Sequence, residues 1–315
     1  MYKLPKTHYW HGRIDSETDR DSFRFHQAVE FMSSDEVPAN AFSIIGFECE
    51  EGVRRNEGRL GAMQAPNEIR KQLANLPYHL GSQQTVDVGN VMCKGEEMER
   101  AQQELSSHIE MMLKRSSTPI ILGGGHETLY GHYLGVRKFI GKDAKLGLIN
   151  IDAHFDMREA DQPSSGTMFK QILKTDDNAG YLVLGIQPYG NTRSLFNRAD
   201  NLGAKYLLAE DLALWNMPET EKIVDAFCAQ YDYVLVTLCT DSISATAAPG
   251  VSAPSPFGLD PVLVRQLLRY IVANEKVQSF DIAEVNPLLD ENGKTVKLAA
   301  YLVAEVMGSF RLGKK

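Results

Sequence analysis

Residues 145–158, KLGLINIDAHFDMR, limit what this chain can fold into more than any other stretch. Leu146–Ile151 is a short apolar run without polar alternation, bounded upstream by the Gly-Lys-Asp turn at 141–143. Such a run predicts a strand buried on both faces of a parallel sheet. Directly after it, Asp152, His154 and Asp156 stand at alternate positions. In extended chain, residues i, i+2 and i+4 point the same way. Two carboxylates and an imidazole would therefore converge at the edge where open α/β sheets build their sites. Carboxylate oxygen with imidazole nitrogen suits Mn²⁺, Zn²⁺ or Fe²⁺ better than it suits a structural thiolate centre. The ordinary alternative is a solvated strand end whose Asp caps the next helix.

The same strand-then-polar pattern recurs along the chain. Strand-like runs at 41–47, 85–88, 118–123, 180–186, 205–209, 233–238 and 277–282 bring the expected total to eight. Between them lie helical stretches at 96–115, 127–140, 218–230, 259–273 and 294–310, with shorter ones opened by Pro66, following residues 161–167, and ending at Ala199. This alternation predicts a single three-layer α/β/α domain with a mainly parallel sheet over 39–315. Residues 1–38 are polar and mixed, and are expected to pack on that domain as an N-terminal extension.

Acidic or imidazole groups fall at four of the strand ends: His126; Asp152, His154 and Asp156; Asp241; and Glu284. A glycine- and arginine-rich loop follows the first strand, and in it Arg54, Arg55 and Arg59 cluster. Such a loop can hold an anionic substrate, line a subunit interface or form surface ion pairs. His8 and His11 have no third ligand nearby and read as surface or packing histidines. There is no G-x-G-x-x-G, P-loop or G-x-S-x-G motif.

Composition narrows the function classes. The net charge of −8 argues against a nucleic-acid footprint. The four cysteines have no close spacing, so neither a disulfide framework nor a zinc ribbon is expected. No apolar run reaches the length of a membrane span, and the first residues lack a signal peptide's apolar core. The expectation is a reduced, cytoplasmic protein.

Four ordered motifs, GGGHE (123–127), DAHFD (152–156), TLCTDSISATAAPG (237–250) and DIAEVNP (281–287), resemble those of the ureohydrolase superfamily of arginase and agmatinase. The resemblance runs from residue 46 to 308. With GVRRNEGRLGA (52–62), SSGTMF (164–169) and APGVSAP (248–254), the chain looks most like the branch that hydrolyses N-formimidoyl-L-glutamate to glutamate and formamide in histidine breakdown. Other ureohydrolase activities, or a non-catalytic metal-binding homologue, are the alternatives.

The resemblance implies an eight-stranded parallel sheet between helical layers, two Mn²⁺ ions per subunit and a homo-oligomer. It implies that His126 and Asp156 bind one ion, that His154 binds the other, and that Asp152 bridges both. Asp241 matches the second carboxylate of the family's DxD motif, whereas Cys239 stands where relatives have the first, a bridging Asp. A soft thiolate and hard Mn²⁺ are poorly matched, which puts the second ion in question. Glu284 matches the carboxylate that grips the amidine end of the substrate, and Asp156 is a candidate proton carrier to the leaving nitrogen. Ser165 matches the place of the relatives' shuttle histidine. Arg158 stands where relatives use a polar side chain to hold a substrate carboxylate, and Arg54 and Arg55 are further candidates for that task.

Overall fold

The computed structural model describes residues 1–310. Its ten strands, in chain order, are β1 (Tyr2–Lys3), β2 (Val29–Phe31), β3 (Phe42–Glu48), β4 (Thr85–Met92), β5 (Thr118–Leu122), β6 (Leu146–Ile151), β7 (Ala179–Ile186), β8 (Lys205–Leu208), β9 (Tyr233–Cys239) and β10 (Val277–Ala283). The ten helices are α1 (Phe25–Ala28), α2 (Glu51–Arg55), α3 (Ala65–Leu73), α4 (Met98–Lys114), α5 (Thr128–Ile140), α6 (Met168–Thr175), α7 (Arg193–Asn201), α8 (Met217–Cys228), α9 (Pro261–Val272) and α10 (Lys294–Ser309).

All eight expected strands are present and parallel, in the order β4-β3-β5-β10-β9-β6-β7-β8. The expected extension also enters this sheet: β1 pairs antiparallel with β4, and β2 pairs with β4 in parallel. Strands of two and three residues carry too little periodicity to be read from sequence. The extension is pinned by buried Trp10, whose Nε1 donates to Asp87 Oδ2 at 2.7 Å. The same carboxylate receives a two-pronged bond from the buried Arg70 guanidinium.

The apolar runs are buried on both faces because helices cover both. Ile44, Ile120, Leu122, Ile149 and Ile151 join one core, whereas Ile45, Phe47, Ile121, Leu146 and Leu148 join the other. That alternation is the period-2 geometry of a strand with no solvent face. Along α4, Ala101, Leu105, Ile109 and Met112 make the buried stripe of an outer-layer helix. Pro261 opens α9 behind Asp260, whose side chain accepts from Val262 N–H.

The central four strands place the site. Leu122, Ile282, Leu238 and Ile151 stand level across β5, β10, β9 and β6. The segments leaving these neighbours therefore emerge side by side at the sheet's carboxyl edge. From the neighbouring pair β6 and β9 the chain leaves in opposite directions, to β7 and to β10, which opens the crevice expected at such a switch point.

Candidate metal centre and substrate cleft

Two groups of possible ligands form at this edge: His126, Asp152 and Cys239, and Asp152, His154 and Asp241. Within each group the ligand atoms lie within 4.8 Å of one another, and Asp152 belongs to both. His126 Nδ1 lies 2.7 Å from Asp156 Oδ2 and 3.1 Å from Asp152 Oδ2. His154 Nδ1 lies 3.3 Å from Asp241 Oδ2. Cys239 donates its S–H to Asp241 Oδ1 at 2.9 Å.

Asp152 is fully buried beneath the cleft and held from both sides. Asn150 Nδ2 donates to its Oδ2 at 3.0 Å, and His154 N–H donates to its Oδ1 at 2.8 Å. Asn150 is in turn braced by the Tyr181 hydroxyl at 3.0 Å, and Tyr181 stacks on Phe169 with ring centroids 3.7 Å apart.

Two site residues have left-handed backbone: Asp156 at φ 50° and Glu284 at φ 66°. For side-chain-bearing residues this conformation is costly and persists only where the surroundings hold it. Glu284 is held by a reciprocal pair: its N–H donates to Gly124 O at 2.8 Å, and its Oε1 accepts from His126 N–H at 2.8 Å. Only glycine fits at 124, because a Cβ there would lie 1.8 Å from Cys49 O.

The electrostatics call for positive charge. Burial, then the neighbouring Asp241 and Glu127, pushes Glu284 up to about 8. Burial, then the Asp152 charge, lifts Asp156 to about 6. Burial alone opposes ionisation of Asp152, but His126 and His154 outweigh it and hold the group far below the usual carboxylate range. Burial likewise works against a charge on either histidine, and the facing carboxylates overcome it and raise both. So many buried acids are costly unless cations compensate them. Oxygen- and imidazole-rich ligand sets sharing one carboxylate are the donors that a pair of divalent ions requires. The residues present therefore fit a binuclear metal centre, with Cys239 the one soft donor in it.

His126, His154, Asp156, Cys239, Asp241 and Glu284 face a common cleft, whose walls include Arg158 and Ser165. Ser165 is fixed through its N–H, which donates to Gly52 O at 3.1 Å. Arg158 makes no ion pair with its neighbour Glu159, which is taken by Lys170 and, at 3.4 Å, by Arg198.

Arg54 and Arg55 require a correction, because neither reaches the cleft. Arg54 grips Glu51 through two 2.6 Å bonds, and Arg55 binds Glu51, Glu99 and the carbonyls of Glu96 and Pro163. Both brace α2, as the ion-pair alternative had it. Arg59 also ties loops together, donating to Ser252 O and Val251 O.

Sequence reasoning missed Asn56, Asn191 and Ser252 on the cleft walls, and Asn150 and Tyr181 beneath the ligands. None lies in a ligand-like pattern, and only tertiary contact reveals them. Glu127 is a further buried acid, lifted by burial to about 7; its Oε1 accepts from Gly52 N–H at 3.1 Å.

Comparison with known proteins places the chain among its relatives. The chain is 54% identical over 315 residues to the formimidoylglutamase of Geobacillus sp. (strain WCH70), covering 98% of this chain and 97% of that one. It is 50% identical to the formimidoylglutamase of Lysinibacillus sphaericus (strain C3-41), covering 100% and 99%. Among solved structures, Bacillus subtilis formimidoylglutamase superposes with a TM-score of 0.83 at 21% identity over 94% of each chain. Trypanosoma cruzi formiminoglutamase with Mn²⁺₂ superposes with a TM-score of 0.76 at 23% identity, covering 86% of this chain and 93% of that one. The Arginase family profile matches residues 40–308, which include every candidate ligand described above, and the chain is therefore a member of the arginase family.

Proposed function

We propose that this chain hydrolyses N-formimidoyl-L-glutamate to L-glutamate and formamide, a step of histidine degradation, with two Mn²⁺ ions bound. The observation that carries the reading is Arg158. It is a cation on the cleft wall whose neighbouring acid, Glu159, is engaged elsewhere, and it stands above a carboxylate-rich floor. A substrate with an amidine at one end and carboxylates at the other matches that polarity. The curated relatives named formimidoylglutamase support the same substrate.

His126, Asp152, Asp156 and Cys239 would hold one ion, and Asp152, His154, Cys239 and Asp241 the other. Divalent ions supply Lewis acidity and lower the pKa of bound water, so that a nucleophile exists near neutral pH. Glu284 orients the substrate: Oε1 is engaged by His126 N–H, and Oε2 remains for the amidinium N–H groups as a charge-assisted acceptor. Arg158 makes a planar fork for a carboxylate of the glutamate portion. Addition of water to the formimidoyl carbon and loss of the glutamate nitrogen conserve all atoms, provided that nitrogen gains a proton. Asp156, which faces the cleft, is the candidate carrier of that proton. Ser165 lines the cleft where a hydroxyl can steady the substrate.

A reducing, cytoplasmic setting and a homo-oligomeric assembly belong to the same reading. The four free thiols support the first. No helix among the described residues is long and apolar enough to cross a membrane.

Turnover of formimidoylglutamate, arginine, agmatine and guanidino acids by the Mn²⁺-loaded protein tests the proposal. Formimidoylglutamate is expected to be strongly preferred. A preference for agmatine, which has no carboxylate for Arg158, would sink it.

Cys239 offers a separate check. Its thiol is pushed well above its usual pKa by burial and then by the Asp152 and Asp241 charges, so an ion must displace its proton to bind. Cys239→Asp replaces a soft donor with a hard one and is expected to tighten Mn²⁺ binding by on the order of tenfold. A manganese titration giving identical affinities for both proteins would place the Cys239 sulfur outside the ion's coordination.

A further inference from the structure

Behind His126, on the side away from the cleft, runs a chain of buried polar groups with no role in the reading above. His126 Nε2 lies 3.0 Å from Thr237 Oγ1, and Thr237 Oγ1 donates to Asp281 Oδ1 at 2.7 Å. The other Asp281 oxygen, Oδ2, lies 2.6 Å from His132 Nδ1, and His132 Nε2 lies 2.5 Å from Ser279 Oγ. Thr237, Ser279, Asp281 and His132 are all fully buried. Thr237 and Asp281 are register partners on β9 and β10, and His132 comes from α5.

The direction of these bonds follows from valence. An ionised carboxylate only accepts, so Asp281 draws the single hydroxyl proton of Thr237. With that proton committed, Thr237 can meet His126 only as an acceptor, and the proton between them belongs to Nε2. A neutral His126 then has a bare lone pair on Nδ1, aimed at Asp152 and Asp156 at 3.1 and 2.7 Å. A lone pair facing two carboxylates is repulsive unless a proton or a metal cation lies between them. The opposite tautomer would place a proton on Nδ1, bind it to Asp156 and compete with any ion.

We propose that Thr237, oriented by Asp281 and through it by His132, is a positioning residue that fixes His126 as its Nε2–H tautomer and so prepares Nδ1 as a metal ligand. This inference rests on His126 being a ligand, as in the function proposed above. Partners behind a ligating histidine fix its tautomer and ring orientation in many metal sites.

The test uses the full chain, stripped with chelator and titrated with Mn²⁺ under paramagnetic resonance, with thermal unfolding as a check on folding. Thr237→Val keeps the shape and loses the hydroxyl, whereas Thr237→Ser keeps the hydroxyl and loses a methyl. Thr237→Val is expected to weaken Mn²⁺ binding by about 10- to 100-fold, and Thr237→Ser to stay near the wild type. A role in packing alone gives the reverse order. Wild-type affinity in Thr237→Val, or equal losses in both variants, would overturn the proposal.

His126→Ala separates the two readings. If it binds Mn²⁺ like the wild type, the ligand assignment itself fails. If it loses binding while Thr237→Val keeps it, only the present inference fails. Should Thr237→Val not fold, ¹⁵N-histidine spectra of the Zn²⁺-loaded wild type address the same point. A proton on His126 Nε2 is then expected, and one on Nδ1 would overturn the proposal.

Discussion

Asp152→Ala is expected to abolish Mn²⁺ binding and hydrolysis together. Asp152 belongs to both ligand groups, so its loss removes a donor from each ion at once. Activity should fall by on the order of 10³-fold or more, equivalent to about 4 kcal/mol of transition-state stabilisation. Asp152→Asn sharpens the result, because it keeps the side-chain volume and gives up only the charge and one acceptor. Its secondary structure should match the wild type while its metal content falls. His11→Ala is the control: His11 is exposed and its ring only meets the His8 carbonyl, so metal and activity should both be untouched. Bound metal measured per chain, alongside turnover, decides the matter. Full activity in Asp152→Ala would show that the centre lies elsewhere.

Arg158→Met should leave the metals in place and raise KM for formimidoylglutamate. Once substrate covers the guanidinium, the lost charge pair is worth about 2–3 kcal/mol, or on the order of 30- to 150-fold in KM. Arg158→Lys should recover only part of this, because an ammonium cannot make the planar two-pronged contact. The structure reduces the number of other candidates. Arg54 and Arg55 are held by Glu51 and its neighbours, and Arg59 by loop carbonyls, so none is free to substitute. An unchanged KM in Arg158→Met, with metal content intact, would instead assign the carboxylates to Asn56, Asn191 and Ser252 on the cleft wall.

Much of the architecture could be read from local pattern. Unalternating apolar runs such as Leu146–Ile151 state that both faces of a strand are buried, and burial on both faces requires helices on each side. The position of Asp152, His154 and Asp156 directly after an apolar run is also local, although the extended backbone expected through Asp156 stops at Ile151 and Asp156 itself is left-handed. For the same reason His126, Asp241 and Glu284 could be placed at strand ends before any contact was known.

What the sequence by itself determined, then, is which strands are buried on both faces and which strand ends carry acidic or imidazole groups suited to a metal. Tertiary structure alone decided that β5, β10, β9 and β6 are neighbours, because sheet order depends on crossovers between segments far apart in the chain. It also decided which arginine lines the cleft: Arg54, Arg55 and Arg158 look alike in sequence and differ in the acids that packing brings to them. The left-handed turns at Asp156 and Glu284 escape local reasoning, since the side-chain types there disfavour them and only surrounding contacts hold them. The Thr237–Asp281–His132 chain is hidden for the same reason. Its members come from two strands and a helix, and a hydrogen bond's direction is set by where every proton in a buried network must go.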